Sequence, residues 1–398
     1  MLNSSGFPGQ YKNAFVQRAA LRPVEDLVRA PAGACPGHLP GTRHRLGYVL
    51  ELSPLARFGD RVATGLIDVT RDPAALDSAG FWAVCADYEG RLTCARFADV
   101  REEPVSAPMP GAWRGPVADD WTSSLDRAGY TAGVRRIRGH IATGEVYQVN
   151  LCRVLSAPIA PGADVDALTA VLTRGNPGPY AGTIRLPEHG VEIATASPEL
   201  FLRRDGRVVE SGPIKGTGRT EADLLDKDHA ENVMIVDLVR NDLGRVCTSG
   251  SVTVPHLCVV EKHPGLVHLV STVRGELRAD VGWPELLAAT FPAGSITGAP
   301  KSSALRIIDA LETAPRGPYC GGIGWVDADR GVGELAVGIR TFWIDRTARD
   351  TAVLRFGAGA GITWGSDPEG EWRETELKAA RLLTVASGAY EASGGNLR

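Results

Sequence analysis

The sequence predicts one large α+β domain, and three observations lead there. From about residue 120, helical and strand-like stretches follow one another without the regular ~30-residue βαβ period of Rossmann or barrel folds. The strand-like runs come in hairpin-like groups, with the helices set apart from them. No internal repeat recurs along the chain.

Residues 1–120 are uneven. Ala30–Gly41 holds three prolines and three glycines and reads as a loop. Short strand-like runs follow at Leu46–Leu52, Val62–Val69 and Phe81–Ala86, and Pro104–Pro116, with four prolines, reads as a linker. Trp121–Thr143 then predicts a helix, with Leu125, Val134, Ile137 and Ile141 on one side and Gly144 closing it. Val146–Leu155 has the β-branched and aromatic character of a strand. Leu224–Leu243, Trp283–Phe291 and Lys301–Glu312 predict further helices. Gly321–Asp327, Leu335–Trp343 and Ala352–Ala358 predict strands, and Glu371–Ala386 a closing helix. The expected organisation is an N-terminal region, 1–120, that completes the α/β fold, a main domain, 121–390, and a tail, 391–398.

At 398 residues, with 43% hydrophobic and 23% charged residues, the chain is globular rather than disordered. Lys plus Arg is 43 against 47 Asp plus Glu, a net charge of −4, which argues against a nucleic-acid binder. No apolar stretch approaches the ~18–20 residues of a membrane span. Met1–Lys12 lacks the apolar segment of a secretory signal. The expectation is a cytoplasmic protein without membrane or nucleic-acid partners. Seven scattered cysteines without a C-x-x-C pair predict reduced thiols. Cys35, on a Gly-rich turn, is a poor nucleophile candidate: no strand leads into it and Pro36 removes the next backbone donor.

Five segments carry chemistry. Asp228 and Glu231 lie three residues apart on one helix face, and Glu371 and Glu374 repeat that spacing on the last helix. Oxygen-only clusters suit a hard ion such as Mg²⁺, although exposed acidic pairs at this spacing are common. Lys215 sits between glycines in Ser211-Gly212-Pro213-Ile214-Lys215-Gly216-Thr217-Gly218, where a substrate could approach the backbone and a desolvated amine become nucleophilic. A solvated turn lysine fits that segment as well. Phe291–Lys301 and Phe356–Ile362 are glycine-rich and could offer backbone N–H groups to carboxylates. Neither has the surroundings of a dinucleotide or P-loop site.

Together these segments resemble the chorismate-utilising enzymes, which include anthranilate synthase, isochorismate and salicylate synthases, and component I of aminodeoxychorismate synthase. The resemblance runs in order through Gly144–Asn150, Ser197-Pro198-Glu199, Pro213–Thr217, Ile235–Gly244, His268–Ser271, Phe291–Lys301 and Gly357–Lys378. It implies a single large domain with two antiparallel-rich sheets flanked by helices. Gln148 stands where the water-using members carry a basic lysine, and a neutral amide cannot deprotonate water, so the resemblance points to the ammonia-using branch. Lys215, within Pro-Ile-x-Gly-Thr, is similar to the covalent nucleophile of aminodeoxychorismate synthase component I.

The resemblance further implies Mg²⁺ held by Glu231 and Glu374, with Asp228 and Glu371 in support. Glu199 would be the acid for the departing hydroxyl, and His268 would lie near the ring. Tyr319 and Arg340 would hold the enolpyruvyl carboxylate, Gly359 and Ala360 would offer N–H groups, and Lys378 would be a further charge partner. Thr217 and Gln148 complete the implied substrate contacts. Ammonia is expected from a separate glutamine amidotransferase subunit. Gly322 replaces a common serine and Leu377 a common asparagine, while residues 1–120 match poorly, which leaves effector control by tryptophan in doubt.

Overall fold

The computed structural model describes residues 52–104, 113–218, 220–224, 226–263, 266–348 and 351–388. The Cys35 turn, nearly all of the Leu46–Leu52 run and the 391–398 tail lie outside the described residues. Residues from Leu52 onward cluster as one unit.

The chain begins with β1 (Leu55–Phe58), β2 (Arg61–Thr70), β3 (Phe81–Ala86) and β4 (Leu92–Glu102), then β5 (Thr122–Ser123), α1 (Arg127–Ala142) and β6 (Gln148–Ile159). Next come α2 (Val165–Gly175), β7 (Tyr180–Leu186), β8 (Val191–Ser197), β9 (Leu200–Asp205), β10 (Val208–Gly212), β11 (Ile214–Gly218) and α3 (Asp226–Gly244). β12 (Thr253–His263), β13 (Leu266–Glu276), α4 (Trp283–Thr290), β14 (Gly298–Ala299) and α5 (Lys301–Leu311) follow. β15 (Gly322–Asp327), β16 (Val332–Val337), β17 (Thr341–Ala348), β18 (Thr351–Ile362) and α6 (Pro368–Ala386) close the described chain.

The pairings are antiparallel throughout. One run reads β12-β13-β10-β9-β16-β15-β3-β4, with β11 also on β13; the other reads β7-β8-β17-β18-β6. β2 and β1 join them, since β2 pairs with β4 and β1 pairs with β7. The early strands are therefore built into the same hydrogen-bonded network as the later ones.

α2 and α6 cover the second run. Their Val165, Leu168, Leu172, Leu382 and Val385 pack with Phe342 and Phe356, whose ring centroids stand 4.6 Å apart. Burying each such side chain contributes ~1.5–3 kcal/mol. Asp126, Asp164 and Asp367 cap α1, α2 and α6 by accepting from backbone N–H groups of their first turns.

Two expected elements need correction. The helix expected from Trp121 starts at Arg127, because Thr122 and Ser123 pair instead with Ser156 and Leu155 of β6. The strand expected over Leu335–Trp343 is two strands, β16 and β17. Arg340 takes φ +51°, and Gly338 packs so closely that a Cβ there would lie 2.1 Å from the Pro318 carbonyl, so the pleat cannot run through.

Candidate active site

The site grows from β6 and β18, paired from Val149↔Ile362 to Ile159↔Ala352. Gly357, Gly359 and Gly361 alternate along β18 and so share one face. A Cβ on Gly357 would meet the Tyr319 ring at 2.0 Å, one on Gly359 the Cys152 sulfur at 2.5 Å, and one on Gly361 the Gln148 Nε2 at 2.3 Å. The glycines thus make room for polar side chains. β17 stops opposite Phe356, so Gly357–Ile362 pairs along one edge only. Gln148 is wholly buried, yet neither amide atom has a partner, and the Asn150 Oδ1 is likewise unpaired.

Opposite lies β11. The Lys215 ammonium donates to the Ser295 carbonyl at 3.1 Å, so it points inward although the residue as a whole is only partly buried. Burial lowers its pKa, against the opposing pull of Glu231 and Glu199. Glu199, just beyond β8, is buried, and desolvation pushes its pKa up to about 7, with a Ser295 hydrogen bond and the Lys215 charge acting the other way. Buried His268 stands on β13 with Thr217 of β11 in register beside it.

α3 and α6 bring the carboxylates. Asp228 packs against Gly216, with its Cβ 3.0 Å from where a Cβ on that glycine would stand. Asp228 and Glu371 lie in the first turns of their helices, where the dipole favours negative charge, and Glu231 and Glu374 follow three residues on. Burial raises the Glu231 pKa, and the neighbouring Asp228 and Glu374 add to the rise; burial likewise raises Glu371, and Glu374 adds to it. Burial works to raise Glu374 too, but Lys378 outweighs it and the net displacement is downward. Lys378 pairs with Glu374 at 2.7 Å and donates to the Gly359 carbonyl at 3.1 Å.

Among the described residues no three His, Cys, Asp or Glu side chains stand close enough together to hold a metal ion as they lie. The donor set nonetheless suits a hard cation: it is all oxygen, drawn from two helices, and Glu374 of α6 helps to raise the pKa of Glu231 on α3 as well as that of Glu371.

Tyr319 is buried, and the Cys152 thiol donates to its hydroxyl at 3.8 Å. Arg340 stands apart. Burial lowers its pKa, Arg381 adds to the effect, and no described carboxylate pairs with it. Backbone Gly359 and Ala360 lie opposite Cys152 and Leu151.

Sequence reasoning missed Ser295, Asn150 and Arg316. The Ser295 carbonyl also accepts from the Asn150 Nδ2 at 3.0 Å. Arg316, 1% exposed, donates to the Ile296 and Asn150 carbonyls and pairs with Glu312, whose carboxylate also accepts from the Cys152 N–H. It ties the strand of Gln148 to the turn of Ser295.

The description of a chorismate binding enzyme matches residues 77–384. The chain belongs to the chorismate-binding enzyme family. It is 39% identical over 277 residues to anthranilate synthase component 1 of Saccharolobus solfataricus, covering 67% of this chain and 63% of that one. It is 37% identical over 320 residues to aminodeoxychorismate synthase component 1 of Salmonella typhimurium, covering 76% and 68%. Aminodeoxychorismate synthase of Streptomyces pristinaespiralis is 39% identical over 337 residues, covering 81% and 44%. The chain thus spans between 44% and 68% of the length of these relatives. Among solved structures, anthranilate synthase component I of Streptococcus pneumoniae superposes with a TM-score of 0.68 at 20% identity, covering 96% of this chain and 100% of that one. The menaquinone-specific isochorismate synthase of Escherichia coli gives 0.71 at 20% identity, covering 85% and 90%. These two share the fold.

Proposed function

We propose that this chain is an ammonia-using chorismate enzyme of the aminodeoxychorismate synthase component I type. The reading rests above all on Lys215, a desolvated amine on an inward-facing strand with the acid Glu199 close by. Neutral Gln148, in place of a base, supports ammonia over water as the second nucleophile.

Lys215 would add through Nζ at ring C2 of chorismate, the double bonds would shift, and the C4 hydroxyl would leave. Glu199, protonated near neutral pH, would give that hydroxyl its proton so that water departs. Ammonia then adds at C4, the shift reverses, and the C2–Nζ bond breaks with its electron pair returning to lysine. The carboxylate of Glu199 takes the surplus proton from the new C4 ammonium, giving 4-amino-4-deoxychorismate. Arg340, with its charge unpaired, suits the enolpyruvyl carboxylate, and Tyr319 is held rigidly for the same end. Glu231 and Glu374 would hold Mg²⁺, with Asp228 and Glu371 beside them. Bound there, the ion would neutralise the ring carboxylate and draw electron density from the ring. Ammonia would come from a glutamine amidotransferase partner, the component 1 names of relatives supporting a divided enzyme.

Incubation with chorismate, ammonium and Mg²⁺, followed by a lyase specific for aminodeoxychorismate, should yield p-aminobenzoate. A second reading, formation of anthranilate or 2-amino-2-deoxyisochorismate, is favoured by the anthranilate synthase relatives. Fluorescent anthranilate in the same incubation would establish it.

A further inference from the structure

Asn232 ties the helix of the carboxylates to the strand of the amine. It follows Glu231 on α3 and turns into the protein, with 0% exposure. Its Nδ2 donates to the Leu269 carbonyl of β13 at 3.1 Å, and Leu269 is the register partner of Lys215 on β11. Its Oδ1 accepts from the Ser271 hydroxyl, with the Cys258 thiol a weaker donor at 3.7 Å. The Ser271 backbone N–H in turn donates at 3.1 Å to the carbonyl of Pro213, two residues before Lys215. Both ends of the amide therefore reach residues that border the nucleophile's own segment. Its orientation is fixed as well. β12 bulges between His256 and Val259, Cys258 takes φ +53°, and the Cys258 N–H donates to the Ser271 Oγ at 2.8 Å. With that donor on its oxygen, the hydroxyl directs its single proton to Asn232, which turns the amide nitrogen toward Leu269.

We infer that Asn232 is a positioning residue for this reaction: its amide seats α3 on β13 and so fixes where Glu231 and Asp228 stand relative to Lys215. The helix is gripped at two points, since Asp228 also packs against Gly216 of β11. α6 has a tie of its own, the Arg153 Nε of β6 donating to the Thr375 hydroxyl at 3.0 Å, one residue past Glu374. A change at Asn232 therefore disturbs one half of the acid set and leaves the other seated. Asn232→Leu keeps the volume but removes both bonds, leaving the buried Leu269 carbonyl and Ser271 hydroxyl without this partner. Buried polar groups so abandoned are costly, and α3 must shift or admit water to satisfy them. Ser271→Ala removes one of the two bonds and leaves the other.

The inference rests on the ion-holding role given to Glu231 above, and two readouts keep the two claims apart. The first is Mg²⁺ binding to the protein without chorismate, followed by calorimetry. The second is kcat for chorismate consumption at saturating Mg²⁺ and ammonium, which does not depend on which product forms. Asn232→Leu should raise the Mg²⁺ dissociation constant by about tenfold or more, and kcat should fall by a similar factor even with the ion supplied. Ser271→Ala should change both in the same direction by less. The double variant should be no worse than Asn232→Leu alone, because the two side chains act as one tie. Urea unfolding of each protein shows the share that is folded. Mg²⁺ binding and kcat unchanged in folded Asn232→Leu would make Asn232 a packing residue only and overturn the inference, as would losses that multiply in the double variant. Glu231→Gln in the same titration tests the reading beneath: unchanged Mg²⁺ binding there removes the ion-holding role, and kcat in the Asn232 and Ser271 variants then judges the tie by itself.

Discussion

Tyr319 occupies the space that any side chain on Gly357 would need: a Cβ there would lie 2.0 Å from the Tyr319 Cγ and 2.1 Å from its Cδ1. The obstacle is a rigid ring, itself buried, so it cannot swing away as a flexible chain end would. Gly357→Ala is therefore expected to displace Tyr319, raise KM for chorismate and cost about 1–3 kcal/mol of stability. Steady-state kinetics beside denaturant unfolding measures both; unchanged KM would show that Tyr319 does not hold substrate.

Lys215→Ala should lower turnover by more than about a hundredfold while leaving chorismate binding detectable by calorimetry. Mass spectrometry of wild type mixed with chorismate without ammonium should reveal the adduct on residue 215. Turnover undiminished in the variant would end the covalent scheme.

Buried Glu199 also predicts how stability varies with pH. Its folded pKa, about 7, lies above the ordinary 4.5, so the folded state binds the proton more tightly. The stabilisation is complete below the ordinary value and fades as pH rises through 7. Glu199→Gln should lack this slope, and the contrast with wild type between pH 4.5 and 8 should reach about 3 kcal/mol. Urea unfolding at several pH values is the check, and parallel curves for the two proteins would contradict it.

Chelation of divalent cations should stop turnover, and Mg²⁺ should restore it. Glu231→Gln and Glu374→Gln should each raise the Mg²⁺ needed for half-maximal rate by at least about tenfold. If titration with Mg²⁺ gives the same midpoint in all three proteins, the carboxylates do not hold the ion.

Much of the architecture was legible because it is local. The stripe of Val134, Ile137 and Ile141, with a glycine stop at Gly144, announces α1, and the run Phe81–Ala86 coincides with β3. Helix α2 went unread, although Asp164 caps it and Val165, Leu168 and Leu172 keep helical spacing. The break between β16 and β17 depends on Pro318 pressing against Gly338, which no window of sequence contains. The same divide runs through the site. Lys215 and the acidic pairs carry their chemistry in side-chain type and spacing. Ser295 and Arg316 act across 80 and 166 residues of sequence and use backbone carbonyls, which every residue type possesses.

The junction made by β1 and β2 bears on any attempt to trim this chain. β7 has β1 along one side, and β15 has β3 along one side. A version starting after residue 104 would strip both neighbours away and turn two interior strands into raw borders lined with unclaimed amides and carbonyls. Such borders recruit further copies of themselves, so the shortened chain would tend toward clumping instead of yielding a minimal catalyst.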